Sequence, residues 1–196
     1  MNIKLILLAV LLSLQKDPGS TRDAMKPVQL LVGEWRAQVS SDDGKAEAWE
    51  ETQAWEYKIE KEEYALQFTA KDGKHFKDGV LSYDLKKKTF RLDVTRMDDK
   101  KAGFEGKLEG KDLVLEEVGD DKAPRERITW NFLRDNRFIG ETQKKEAGGK
   151  SWSRTAALQF TKQGVPFVKS EAPKCLVTGG TGSIEVAYQG KTYYVC

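Results

Sequence analysis

Between Gly33 and Thr161 apolar and polar residues alternate with a period of two, and a single proline, Pro124, falls in that stretch. A period of two sends successive side chains to opposite faces of an extended chain, so these segments read as strands with one dry and one wet face. Trp35, Ala37 and Val39 form the first dry set; Trp49, Trp55, Tyr57 and Ile59 share a second; Tyr64, Leu66, Phe68 and Ala70 form a third. The alternation runs on through Leu81, Tyr83 and Leu85, through Phe90, Leu92 and Val94, and through Phe104 with Leu108 and Leu113 with Leu115. Ile128, Trp130 and Phe132, then Phe138 with Gly140, then Trp152, Ala156, Leu158 and Phe160 complete it. About ten short strands at even spacing are the pattern of an all-β barrel or sandwich.

The joints between these sets are turn chemistry: Asp42-Asp43-Gly44, Lys71-Asp72-Gly73, Asp98-Asp99-Lys100, Glu109-Gly110-Lys111 and Ala147-Gly148-Gly149. Short joints make sequence neighbours into hairpin partners. No long helical period interrupts the series, which excludes parallel βαβ crossovers. The sequence therefore predicts an all-β fold, an up-and-down antiparallel β-barrel of about ten strands, closed so that neither terminal strand is left with an unpaired edge.

Lys4 is followed by an apolar run over residues 5–14 and then by polar, helix-breaking text, the outline of a secretory signal peptide. The expected location is secreted or periplasmic. The run is too short to span a bilayer stably, so no membrane span is expected in the mature chain. The predicted organisation is a signal peptide and exposed N-terminal segment over 1–25, a barrel over 26–164, a linker over 165–173 and a Cys-containing hairpin over 174–196. The formal net charge is +2, and Lys86-Lys87-Lys88 is matched by Asp98-Asp99 and Glu116-Glu117. Such balanced charge fits solvated hairpin ends and excludes a phosphate-tracking stripe, so nucleic acid is not an expected partner. The sequence names no protein partner.

Gly33-Glu34-Trp35, which opens the first strand, resembles the Gly-x-Trp of lipocalins. The whole stretch 27–164 is similar to secreted bacterial lipocalin-like barrels. That resemblance implies a cup-shaped lumen holding a small, mostly apolar ligand, with a basic residue of the last strand packed across the first-strand Trp.

The residues themselves offer such a partner. Arg154 has the parity of Trp152, Ala156, Leu158 and Phe160, and is expected to point inward, where a charge needs a partner. Glu51 and Gln53 share the parity of Trp49, Trp55 and Tyr57. The candidate ligand-binding set is therefore Arg154, Glu51, Gln53, Trp35, Trp49, Trp55 and Tyr57. In a structural reading Arg154 pairs with Glu51 and stacks on Trp35, closing one end of the barrel. In a ligand reading Arg154 and Gln53 orient the carboxylate of a fatty-acid-like molecule. A third outcome is a lumen filled solid by five Trp residues and their Tyr and Phe neighbours.

After Phe160 the texture changes to a proline-containing linker, and then to Cys175 and a hairpin in which Val186-Ala187-Tyr188 and Tyr193-Tyr194-Val195 flank Gln189-Gly190-Lys191. This stretch resembles the start of the small YHS or TRASH-type metal-binding fingers. Cys175 matches their first Cys, and Cys196 the first of their closing pair. Two thiolates then stand where a closed structural zinc site needs four ligands. The pair reads either as a Cys175–Cys196 disulfide, worth about 3 kcal/mol in the chain-entropy model, or as a soft-metal site for zinc, copper(I) or mercury.

Catalytic constellations are not expected. The only histidine, His75, falls in Asp72-Gly73-Lys74-His75-Phe76 near a hairpin tip, where a solvated or edge position is expected and a haem ligand is not. No nucleophile motif accompanies it. The carboxylates fall mostly on outward parity, with Glu51 the one that faces in. The chain thus reads as a non-enzymatic binding protein or, alternatively, a structural protein with a packed barrel.

Overall fold

The computed structural model of the chain describes residues 18–41, 49–120, 122–164, 184–188 and 191–195. The chain divides into two compact units, Met1–Gln163 and Gly164–Cys196. The first unit is a closed barrel of ten strands: β1 (Gly33–Ser41), β2 (Trp49–Glu60), β3 (Glu63–Lys71), β4 (Phe76–Asp84), β5 (Thr89–Arg96), β6 (Lys101–Glu109), β7 (Asp112–Glu117), β8 (Arg125–Arg134), β9 (Arg137–Lys145) and β10 (Ser153–Lys162). Each strand pairs antiparallel with its neighbours in sequence, and β1 pairs with both β2 and β10, so the sheet has no free edge. This is the up-and-down topology that the alternation predicts. The second unit carries the hairpin β11 (Ile184–Tyr188) and β12 (Lys191–Val195), paired antiparallel.

The dry sets form the core. Trp35, Leu66, Phe68, Leu81, Leu92, Phe104, Leu113, Leu115, Phe138 and Phe160 are all buried in one cluster. Close approach between strands is set locally: a Cβ on Gly106 of β6 would lie 1.8 Å from the Val114 carbonyl oxygen of β7, so only glycine allows the two backbones to meet there.

One departure concerns the N-terminus. The segment up to residue 25, expected to be exposed, ends in a helix α1 (Thr21–Met25), and a 3-10 helix (Lys26–Leu31) follows it. Ser20 caps α1, its hydroxyl accepting from the Asp23 amide at 3.2 Å. Met25, Val28 and Leu31 recur every third residue, the repeat of a 3-10 helix, so they share one side. That side is buried in the barrel core. Among the described residues, no helix is long and apolar enough to cross a membrane.

Candidate functional site

The barrel has two chemically different ends. At the first, where the 3-10 helix enters β1, Trp35 is fully buried and donates from Nε1 to the Leu31 carbonyl at 2.6 Å. Its ring meets Phe138 edge-on at 4.8 Å, and Phe138 stacks on Phe160 at 4.2 Å. Phe138 also touches Trp130, which meets Trp55 edge-on at 5.5 Å, and Trp55 stacks on Phe68 at 4.6 Å. This continuous aromatic packing fills the lumen between β1–β3 and β8–β10 at this end; on the β4–β6 side, Tyr83, Phe90 and Leu108 border a cleft of about 480 Å³ shared with Ala24 and Pro27.

Lys162 of β10 lies directly across Trp35 in the pairing register, with Nζ 5.4 Å from the ring centroid and donating to the Leu30 carbonyl at 3.3 Å. The same contact explains the glycine two residues before Trp35. Gly33 has φ of +124°, and a Cβ there would stand 2.7 Å from Lys162 Cε. The backbone and the lysine stem together exclude any side chain.

Arg154, expected in this role, is elsewhere. The β9–β10 register shifts between Arg154, opposite Gln143, and Ala156, opposite Thr142, so Thr155 is an extra residue on the β10 side. A bulge of this kind flips the parity of everything before it. Arg154 therefore faces outward with its side chain 47% exposed, 3.3 Å from Glu141, and it neither pairs with Glu51 nor covers Trp35. Trp152, on the far side of the same bulge, lies beneath two cations, with the Arg127 Cζ 4.2 Å and the Lys145 Nζ 5.1 Å from its ring.

Tyr57 is also displaced from the lumen, at 47% exposed. β1 begins at Gly33, opposite Trp55, so the later residues of β2 pair only with β3. Their inward parity continues, but no lumen continues with it. Tyr57 and Ile59 instead border a cleft of about 240 Å³ shared with Arg22, Met25, Lys26, Gln29 and Tyr64.

Glu51, Gln53, Trp49 and Trp55 do come together, at the other end. Trp55 Nε1 donates to Gln53 Oε1 at 3.0 Å, Gln53 Nε2 donates to Glu51 Oε1 at 2.7 Å, and Trp49 Nε1 lies 3.5 Å from Glu51 Oε2. Alternate residues of one strand thus form a ladder along its inner face, ending on a carboxylate only 5% exposed. The turn before β4 covers it: a Cβ on Gly73 would sit 3.3 Å from Glu51 Oε2.

That turn delivers His75, for which a solvated or edge position is expected; it stands at the edge, half-buried and not solvated. It packs 5.5 Å from Trp49, and its Nε2 is buried without a hydrogen-bond partner. Burial pushes its imidazole below the usual histidine value; Glu51 and Glu126 pull the other way, and Arg96 and Lys74 add to the fall.

Three charged residues missed in the sequence complete this end. Arg96 donates to Glu126 and Glu117, both at 2.8 Å, and lies 5.8 Å from the Phe76 ring. Burial works against its charge, but the two carboxylates more than offset that and raise its pKa. Parity was the available signal, since Arg96, Glu117 and Glu126 each stand two residues from a buried partner, Val94, Leu115 and Ile128.

Among the described residues, no group of three or more His, Cys, Asp or Glu is placed to hold a metal ion. Cys175 and Cys196, the candidate thiolate pair, lie outside the described residues.

No family model matches the sequence. No curated protein matches it. Among solved structures, the chain is similar to the crystal structure of Rv2717c from M. tuberculosis, at 14% identity and a TM-score of 0.44, over 71% of this chain and 97% of that one.

Proposed function

We propose that this protein is an exported, non-catalytic binding barrel of lipocalin-like kind, which holds a small, largely apolar ligand at the Trp49 end of its lumen. The observation that carries the reading is the pairing there of a buried carboxylate, Glu51, with a buried and partnerless ring nitrogen, His75 Nε2. A barrel selected only for stability gains nothing from such groups, because buried polar atoms cost free energy unless they are satisfied. Polar groups set among aromatic walls are what orient a ligand.

The lipocalin-like assignment draws on Gly33-Glu34-Trp35 and on Lys162, which lies across Trp35 where the sequence predicts Arg154. Export draws on Lys4 and the apolar run over residues 5–14. For Cys175 and Cys196 the disulfide and the zinc or copper(I) site remain the two readings. A free-thiol assay with and without reductant separates them.

The test of the lumenal site is tryptophan fluorescence under titration with small amphiphiles. The expected result is a saturable change that is lost in Trp49→Phe and in Ala102→Phe, which adds bulk to the inner face of β6. A flat response to amines, alcohols and acids alike would leave a packed structural barrel as the better description.

A further inference from the structure

Building on the Trp49-end site just proposed, we infer that its ligand is a small organic cation, a primary or secondary ammonium on an apolar or aromatic body, whose N–H groups reach Glu51 while its charge rests against Trp49. The first ground is the state of Glu51. Its carboxylate is buried, and among the described residues its two hydrogen-bond donors are the uncharged side chains of Gln53 and Trp49 and no basic side chain forms a salt bridge with it. A carboxylate offers about four lone-pair positions, so room for further donors remains. A buried carboxylate without a counter-charge is costly, and a bound cation supplies that charge.

The second ground is the balance around it. Arg96, which shares the inner face, is already held by Glu117 and Glu126. Among the described residues, the carboxylates Glu51, Glu117 and Glu126 outnumber the one guanidinium, Arg96, on this inner face, and the exposed Lys74 ammonium beside Trp49 is the cation an acid would have to recruit. The expected counter-ion for an acid, Arg154, is outside the barrel beside Glu141. The third ground is His75. Burial favours its neutral form, and a neutral imidazole nitrogen can accept an N–H from a ligand.

The fourth ground is that the chain already places a cation on this indole. Lys74 Nζ lies 4.7 Å from the centre of the Trp49 ring. Indole is the aromatic face that attracts cations most strongly. Lys74 also adds positive charge close to the site, so it should compete with an incoming ammonium.

The experiment compares phenethylamine, 2-phenylethanol and 3-phenylpropionate, probes of similar size and differing charge, by calorimetry and tryptophan fluorescence on the full chain near neutral pH. Phenethylamine is expected to bind at least about tenfold tighter than the alcohol, and the acid weakest. Glu51→Gln should remove the preference for the amine over the alcohol. Lys74→Ala, an exposed change that does not threaten folding, should tighten amine binding by about twofold or more and leave the alcohol unaffected. If the alcohol or the acid binds as tightly as the amine, the assignment of a cation is overturned and the binding site stands. If none of the three perturbs Trp49, the site and the cation fall together.

Discussion

The two ends of this barrel obey one parity rule and are filled in opposite ways. Around Trp35 the inward groups are matched: the indole N–H has Leu31, the lysine cap has Leu30, and the rings have each other. At the Trp49 end the inward groups are Glu51, Gln53, His75, Arg96, Glu117 and Glu126, and at least one of their buried atoms has no partner. A closed sheet forces a common inside on all ten strands. The sequence then decides where that inside is a core and where it stays polar. The first end supplies the stability that lets the second carry groups that cost stability.

The sharpest way to break this comparison is to truncate one tryptophan at each end. Trp35→Ala should lose about 3–5 kcal/mol, because a large buried ring leaves a cavity inside packed aromatics. Trp49→Ala, at a half-buried ring, should lose about 1 kcal/mol. Denaturant midpoints at unchanged slope measure both. Equal losses would mean that the Trp49 end is as much a core as the other.

The cap comes next. Lys162→Ala removes a cation from Trp35 and an apolar stem from the barrel end, and should lose about 1–2 kcal/mol. Arg154→Ala should change stability by less than about 0.5 kcal/mol, since its side chain is half-exposed beside Glu141. The reverse order would restore Arg154 to the place that parity alone gives it.

That contrast marks how far the sequence could be read. Alternation gives the strands, their order and nearly all the buried residues, because burial on one face is a local property of an extended chain. It fails for Arg154, where one extra residue, Thr155, reverses the faces, and nothing in Ser153-Arg154-Thr155 announces a bulge. It fails for Tyr57 because parity says which face a side chain takes, but not whether a lumen lies opposite; that depends on where β1 starts. Glu51 and Gln53 were legible as inward polar residues. His75 was not, because a residue beside a turn has no parity to read, and its burial comes from the way that turn folds over Glu51 and Trp49. Met25, Val28 and Leu31 are not legible in the sequence, because three residues at a spacing of three are too few to stand out as a period.

Glu51 sharpens the comparison from the side of the polar end. A buried carboxylate with a cation partner loses about 3–5 kcal/mol when it is neutralised, since the partner is left alone. Among the described residues Glu51 has neutral donors only, so Glu51→Gln should shift stability by no more than about 1 kcal/mol in either direction. A loss in the larger range, read from the same denaturant curves, would show that a basic group is paired with it after all.

The smallest expected effect is a dependence on pH that belongs to one side chain. Burial holds the pKa of His75 in the folded chain below its ordinary value of 6.5. Below that pH the unfolded chain takes up a proton that the folded chain refuses, so protonation draws the equilibrium towards unfolding. Stability should therefore be independent of His75 above pH 6.5 and fall as the pH drops from there towards the folded pKa. His75 is the only histidine, so over the pH range just below 6.5 the His75→Gln variant isolates its contribution. Glu50, Asp84 and Glu105 have lowered values and contribute only at lower pH, where their protonation removes further stability. Denaturant midpoints measured across that window should slope upward with pH in the wild type and be flat in His75→Gln. A wild-type slope of the opposite sign would mean that His75 gains a proton on folding, pairing as a cation with Glu51, and the acceptor pair that distinguishes the Trp49 end from the Trp35 end would then be an ion pair.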